Sequence, residues 1–125
     1  MGEGLFILTL ALFFTHELDA IARHEWRMFP LIRRLDDTSG YVVFLLAHVP
    51  IFALILWFGF DAGAIGAAAR IIVAAFAIIH VGLHMMFARH PANEFNNALS
   101  QALIWGTGIA GALYLAAVLL TDAAR

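Results

Sequence analysis

The sequence predicts an all-α protein, an integral membrane four-helix bundle with an interfacial segment between helices 1 and 2. Three observations carry this. Hydrophobic residues make up 63% of the 125-residue chain and charged residues only 13%, where an ordinary soluble domain carries roughly 25% charged residues. Four apolar stretches, 5–22, 41–60, 67–88 and 98–120, follow one another in a single domain, 1–125. Each is close to the ~20 residues that a helix needs to cross a ~30 Å hydrocarbon core. The polar residues gather between these stretches or near their ends.

The first span closes on Thr15-His-Glu-Leu-Asp-Ala-Ile-Ala-Arg-His-Glu-Trp26. The apolar run before it, Leu5 to Thr15, covers roughly 16 Å as a helix, about half the hydrocarbon core. His16, Glu17 and Asp19 therefore fall at or near membrane depth, where ionisable groups are costly and usually functional. On a helical wheel His16, Glu17, Asp19, Arg23, His24 and Arg27 share about 160° of arc, while Glu25 points to the opposite side and drops out. Two readings stand for this arc. It faces a buried polar site, or it meets lipid headgroups, with Arg23 neutralising Asp19 four residues back.

Residues 23–40 carry Arg23, Arg27, Arg33 and Arg34 among Trp26, Phe29, Leu31, Ile32 and Leu35, the composition of a segment lying along the interface. Pro30 breaks or kinks it. Asp36-Asp37-Thr-Ser-Gly is a helix start, with Thr38 or Ser39 as the cap. The second span is interrupted only by His48 and Pro50, and a proline kink one turn from a histidine opens space around it. Arg70 lies near the start of the third span, and His80 and His84 lie one turn apart near its end. His90 and Glu94 fall in the next connection. In the fourth span Gly108, Gly111 and Ala112 permit close helix contact, and self-association as a homo-oligomer is an option.

All seven basic residues are arginines. Four fall in the first connection and one in the third, against Arg70 and Arg125 on the other side. This five-to-two bias predicts a multi-pass membrane protein with the first and third connections cytoplasmic and both termini outside. The opening residues lack the positive n-region of a signal peptide, so the first span is expected to remain in the mature protein. A formal charge of −2 excludes a nucleic-acid partner, because nothing neutralises phosphates. The absence of cysteine excludes disulfides, thiolate metal sites and haem thioether attachment.

An antiparallel bundle brings the end of helix 1, the start of helix 2, the end of helix 3 and the start of helix 4 to one side. His16, His48, His80 and His84 then lie roughly 9, 10, 12 and 6 Å inside the nearest span end, in one layer of the cytoplasmic half. His80 and His84 have the i, i+4 spacing of a two-histidine metal platform. His48 is either a ligand or a histidine bonded to a carbonyl or facing polar side chain. Expected metal ligands are His16, His48, His80 and His84, holding a divalent ion, zinc or iron. Glu17 and Asp19 are the catalytic candidates, as base, ligand or orienter of an imidazole. Whether His90 and Glu94 belong to the site stays open.

The series His16-Glu-Leu-Asp-Ala20, then His24-Glu-Trp-Arg-Met-Phe-Pro30, resembles uncharacterised small bacterial four-span membrane proteins. The layout is also similar to HXXEE-domain membrane proteins, in which a His-x-x-Glu-Glu motif ends the first span; here His16 is followed by Asp19 and Ala20. The resemblance implies a bacterial inner-membrane location, a polar site at the cytoplasmic helix ends and no particular activity. Three functional classes follow from the residues. One is a metal-dependent enzyme acting on a lipid or other apolar substrate, either a hydrolase or a non-haem iron oxidoreductase. The second is a haem b electron-transfer protein with axial histidines, and the third a small carrier or assembly factor without catalysis.

Overall fold

The computed structural model describes residues 2–123. Met1 and Arg125, the latter counted in the charge bias, lie outside them. Four helices, α1 (Gly2–Ala22), α2 (Asp37–Gly59), α3 (Ala64–Phe87) and α4 (Ala98–Ala123), are joined by short connections. Each is long and apolar enough to cross a membrane, as in a multi-pass membrane protein. The described residues contain no strand.

Local chemistry sets the helix starts. The second helix begins at Asp37, four residues before the apolar run, because Asp36 is the cap and its carboxylate accepts the Ser39 N–H at 3.0 Å. The cap is thus neither Thr38 nor Ser39. An aspartate there satisfies an amide that has no partner inside the helix. The Asp61 carboxylate accepts from the amides of Gly63 and Gly66 at the start of α3, and Asn97 accepts from Ser100 N–H at the start of α4. Inside the spans, Thr9 and Thr107 donate their hydroxyls to the carbonyls of Leu5 and Leu103, each at 2.8 Å. These buried hydroxyls are satisfied within their own helices.

The helix α4 packs along both α1 and α3, while α2 leans on α3 and on the α1–α2 connection. Close approach of α3 and α4 depends on glycine. A Cβ on Gly111 would sit 2.7 Å from the Ala74 carbonyl oxygen, so the small-residue face of α4 is taken up by α3. Near the other end of α1, Phe6 and Tyr114 pack with ring centroids 5.5 Å apart.

The connection after α1 holds two single-turn 3-10 helices, Glu25–Arg27 and Ile32–Arg34, on either side of Pro30. Leu31 and Leu35 point outward while Trp26 and Met28 are buried, the two-sided pattern of an interfacial segment. This connection is pinned to the bundle. The Arg27 guanidinium grips Asp37 with two hydrogen bonds of 2.8 Å, and the Trp26 indole donates to the same carboxylate. His24 and Arg27 both reach Glu94 in the α3–α4 connection.

Candidate metal centre

Four donors converge where α1, α3 and the first connection meet. One ligand atom each from His16, Glu25, His80 and His84 lies within 4.8 Å of all the others. The Nε2 of His84 is 3.0 Å from that of His16, 3.1 Å from that of His80 and 3.6 Å from Glu25 Oε1. Donors ~2.0–2.1 Å from a tetrahedral ion stand about 3.3 Å from one another. The three separations from His84 bracket that value, and the whole set lies within 4.8 Å.

The chemistry of the set points the same way. His84 Nε2 faces two other Nε2 atoms at once, and a neutral imidazole carries either one proton or one lone pair there. Hydrogen bonding alone cannot pair three such atoms well, whereas a cation between them takes all three lone pairs together. Glu25 supplies the negative charge. Its burial, with Glu17 as the next cause, pushes the carboxyl up to about 8. Such a buried acid is held neutral at pH 7 unless a cation compensates it.

Each donor is placed by packing. His16 is fully buried and its ring rests on Phe95, with centroids 5.6 Å apart. Phe95 also abuts His84 at 4.7 Å, and Phe13 lies edge-on to His80 at 5.6 Å. These rings pack directly against the three imidazoles. The Nδ1 atoms of His16 and His80 are buried without a hydrogen-bond partner among the described residues. Ring packing, not a second hydrogen bond, sets the orientation of both imidazoles.

Sequence reasoning placed Glu25 on the wrong side because it ran the helical wheel past the end of α1. The helix stops at Ala22, and His24 takes a left-handed conformation, φ 51° and ψ 43°. That single reversal turns Glu25 back under the bundle, where it is only 5% exposed. A left-handed non-glycine residue is uncommon, and nothing in the residue types of the stretch announces it.

The other expected residues fall in separate networks. His48 stands outside the four-donor group. Its Nδ1 donates to the Phe44 carbonyl at 2.7 Å and its Nε2 meets Glu17 Oε2 at 2.9 Å. Asp19 binds Arg23 at 3.2 Å and accepts a short hydrogen bond from the Ser100 hydroxyl, tying α1 to α4. Glu94 pairs with His24, and His90 accepts the Ala92 amide within its own loop. Neither Glu94 nor His90 belongs to the four-donor group.

A cavity of about 420 Å³ opens beside the donors, within the ~300–1,000 Å³ usual for ligand pockets. Glu17, Glu25, His48, His80 and His84 are its polar lining. The remaining lining is apolar, with Phe13, Met28, Phe44, Ile51, Phe76 and Leu83 among it.

Fold and site together define a four-helix protein, with helices of membrane-spanning character, that carries a buried histidine–glutamate cluster. Over residues 3–121 the sequence matches a family of unknown function, DUF6713, and the chain belongs to that family. No curated protein and no solved structure gave a significant match.

Proposed function

We propose that the protein is a membrane metalloenzyme that holds a divalent ion, zinc or ferrous iron, with His16, His80, His84 and Glu25 and acts on an apolar substrate drawn from the bilayer. The observation that carries this reading is the convergence of four donor atoms from three separate segments within 4.8 Å. Three imidazoles and one carboxylate suit either metal. Catalytic zinc sites commonly use three protein ligands and an exchangeable fourth position. The three histidines are the fixed set in this reading, and Glu25, at the cavity wall, is the ligand that yields or acts as base. The likeness to HXXEE-domain proteins rests on His16 and Asp19 and adds no activity.

The haem reading is weakened by the same distances. Imidazole nitrogens 3.0 and 3.1 Å apart leave no gap for a porphyrin plane between them. The site end of the bundle carries Arg23, Arg27, Arg33, Arg34 and Arg89, while Arg70 lies at the other end. That bias supports a cytoplasmic site and outward termini.

Elemental analysis of the purified protein, recorded beside its visible spectrum, tests the reading. One equivalent of zinc or iron per chain without a Soret band is expected. Absence of stoichiometric metal, or a Soret band, overturns it.

A further inference from the structure

A divalent ion bound for the four-donor cluster must reach groups that lie almost wholly inside the protein. His16 is fully buried, and Glu25 and His80 are only 5% and 7% exposed. Apart from the cluster residues, Glu17 and His48, the larger cavity is lined by apolar side chains, and an ion leaving water in such surroundings is costly. A second, smaller cleft of about 110 Å³ also reaches His84, between the end of α3 and the start of α4. His84 is the one described residue that lines both spaces.

The smaller cleft has the chemistry that the larger one lacks. Asn93 and Asn96 from the α3–α4 connection and Gln101 from the first turn of α4 contribute to its wall. Each carboxamide nitrogen donates to a backbone carbonyl, Asn93 to Ala88 at 3.0 Å, Asn96 to Asn93 at 3.1 Å and Gln101 to Phe95 at 2.7 Å. The Asn93 oxygen accepts the Phe95 amide, which leaves the Asn96 and Gln101 oxygens without a partner among the described residues. Carbonyl-type oxygens suit a hard divalent ion. Being neutral, they hold it loosely enough to let it move on. Asn96 and Gln101 are exposed where α3 and α4 end, and Trp105, one turn further along α4, is 47% exposed. An indole near a span end belongs to the membrane–water boundary, so the cleft opens at a level that water reaches. From His84 Nε2 the other three donors lie only 3.0, 3.1 and 3.6 Å away.

We propose that this small cleft is the aqueous entrance to the cluster. A divalent ion is met by the Asn96 and Gln101 oxygens, taken by His84, and handed to His16, His80 and Glu25. The inference rests on the metal centre proposed above for the ion's destination and adds the route by which it arrives. The ion and an apolar substrate then approach His84 through different openings.

The chain contains no cysteine, so a single introduced thiol can be capped without background. Asn96→Cys in the small cleft and Ile51→Cys in the large cavity are each capped with the same bulky, neutral methanethiosulfonate. The full-length proteins, in detergent micelles and stripped of metal by a chelator, are mixed with zinc, and a fluorescent zinc chelator in competition follows uptake. Capped Asn96→Cys should load at least about tenfold more slowly than wild type and reach the same final stoichiometry. Removing the cap with a phosphine should restore the rate, and capped Ile51→Cys should load as fast as wild type. Ala88→Cys, also in the small cleft, repeats the test if Asn96→Cys misfolds. Slower loading in capped Ile51→Cys alone, or wild-type rates in every capped variant, overturns the inference. A second measurement needs no metal. In the stripped protein, carbethoxylation of His84 by diethyl pyrocarbonate, located by peptide mapping, should be slowed by the cap at position 96 and not by the cap at position 51. Zinc that never binds, with His84 shielded by the first cap, overturns the metal centre and upholds the entrance. Zinc that binds at a rate neither small-cleft cap changes overturns only the entrance.

Discussion

The Glu25 carboxylate lies 3.6 Å from the Nε2 of His84, a contact between a tight connecting turn and the last turns of a spanning helix. It turns a cluster of three histidines into a donor set with charge. Three imidazoles bind a divalent ion as neutral ligands, and the ion's positive charge in an apolar surrounding then needs compensation. Glu25→Gln keeps the shape and removes that charge. Metal affinity should fall by more than the ~10–100-fold typical of losing an outer hydrogen-bond partner of a ligand. A chelator-competition assay measures it, and wild-type affinity in Glu25→Gln would remove Glu25 from the site.

Replacing His16, His80 or His84 with Ala should each strip most of the metal, because each deletion opens one corner of the same tetrahedron. His48→Ala should leave metal content close to wild type, since His48 is committed to Phe44 and Glu17. Elemental analysis of the four variants distinguishes this pattern from one in which all four histidines act alike. Equal loss in His48→Ala would return that residue to the ligand set.

The four helices, and the layer in which the histidines gather, were legible because apolar runs and the arginine-rich connection follow from composition and spacing alone. His16, His80 and His84 could be grouped by depth in an antiparallel bundle without any knowledge of side-chain contacts. Depth could not separate His48 from them. At the same level, the helix that carries it leans toward α3 and leaves the cavity between itself and the cluster. Glu25 was illegible for a different reason. Its position depends on one backbone reversal at His24, and helical phase carries no information beyond the residue where a helix ends. The Asp36 cap was missed by a smaller margin, since Asp, Ser and Thr all cap well and four such residues, Asp36 to Ser39, stand in a row.

The raised carboxyl of Glu25 gives the metal-free protein a distinctive pH dependence. Its folded value, about 8, lies above its unfolded value, so the folded state holds that proton more tightly. The stabilising contribution is fully present below the unfolded value, near 4.3, and is lost as pH rises through about 8. Metal reverses the trend, because the ion binds the carboxylate and displaces the proton. Apparent metal affinity should therefore rise with pH until about 8 and then level off, by up to about tenfold per unit from this group. Thermal unfolding of metal-free and loaded protein from pH 6 to pH 9 would show the two slopes. Parallel slopes would mean that Glu25 gives up no proton on binding.

His24 offers the sharpest separation of backbone geometry from side-chain chemistry. Its φ of 51° costs an ordinary residue about 1–2 kcal/mol, a cost that glycine avoids and asparagine partly escapes. Its side chain also pairs with Glu94 at 3.0 Å, but both groups are more than a third exposed, so that pair is worth only ~0–1 kcal/mol. In His24→Gly the lost pair and the relieved backbone roughly offset each other. The turn survives, Glu25 stays under the bundle, and metal content should match wild type. His24→Val also loses the pair, but a β-branched side chain strongly resists the left-handed region. The turn should then open and withdraw Glu25, bringing metal affinity down to that of Glu25→Gln and lowering the unfolding midpoint. Because neither variant touches a donor atom, a difference between them reports the turn alone. Equal metal affinity and equal midpoints in the glycine and valine variants would show that the reversal at His24 does not position Glu25.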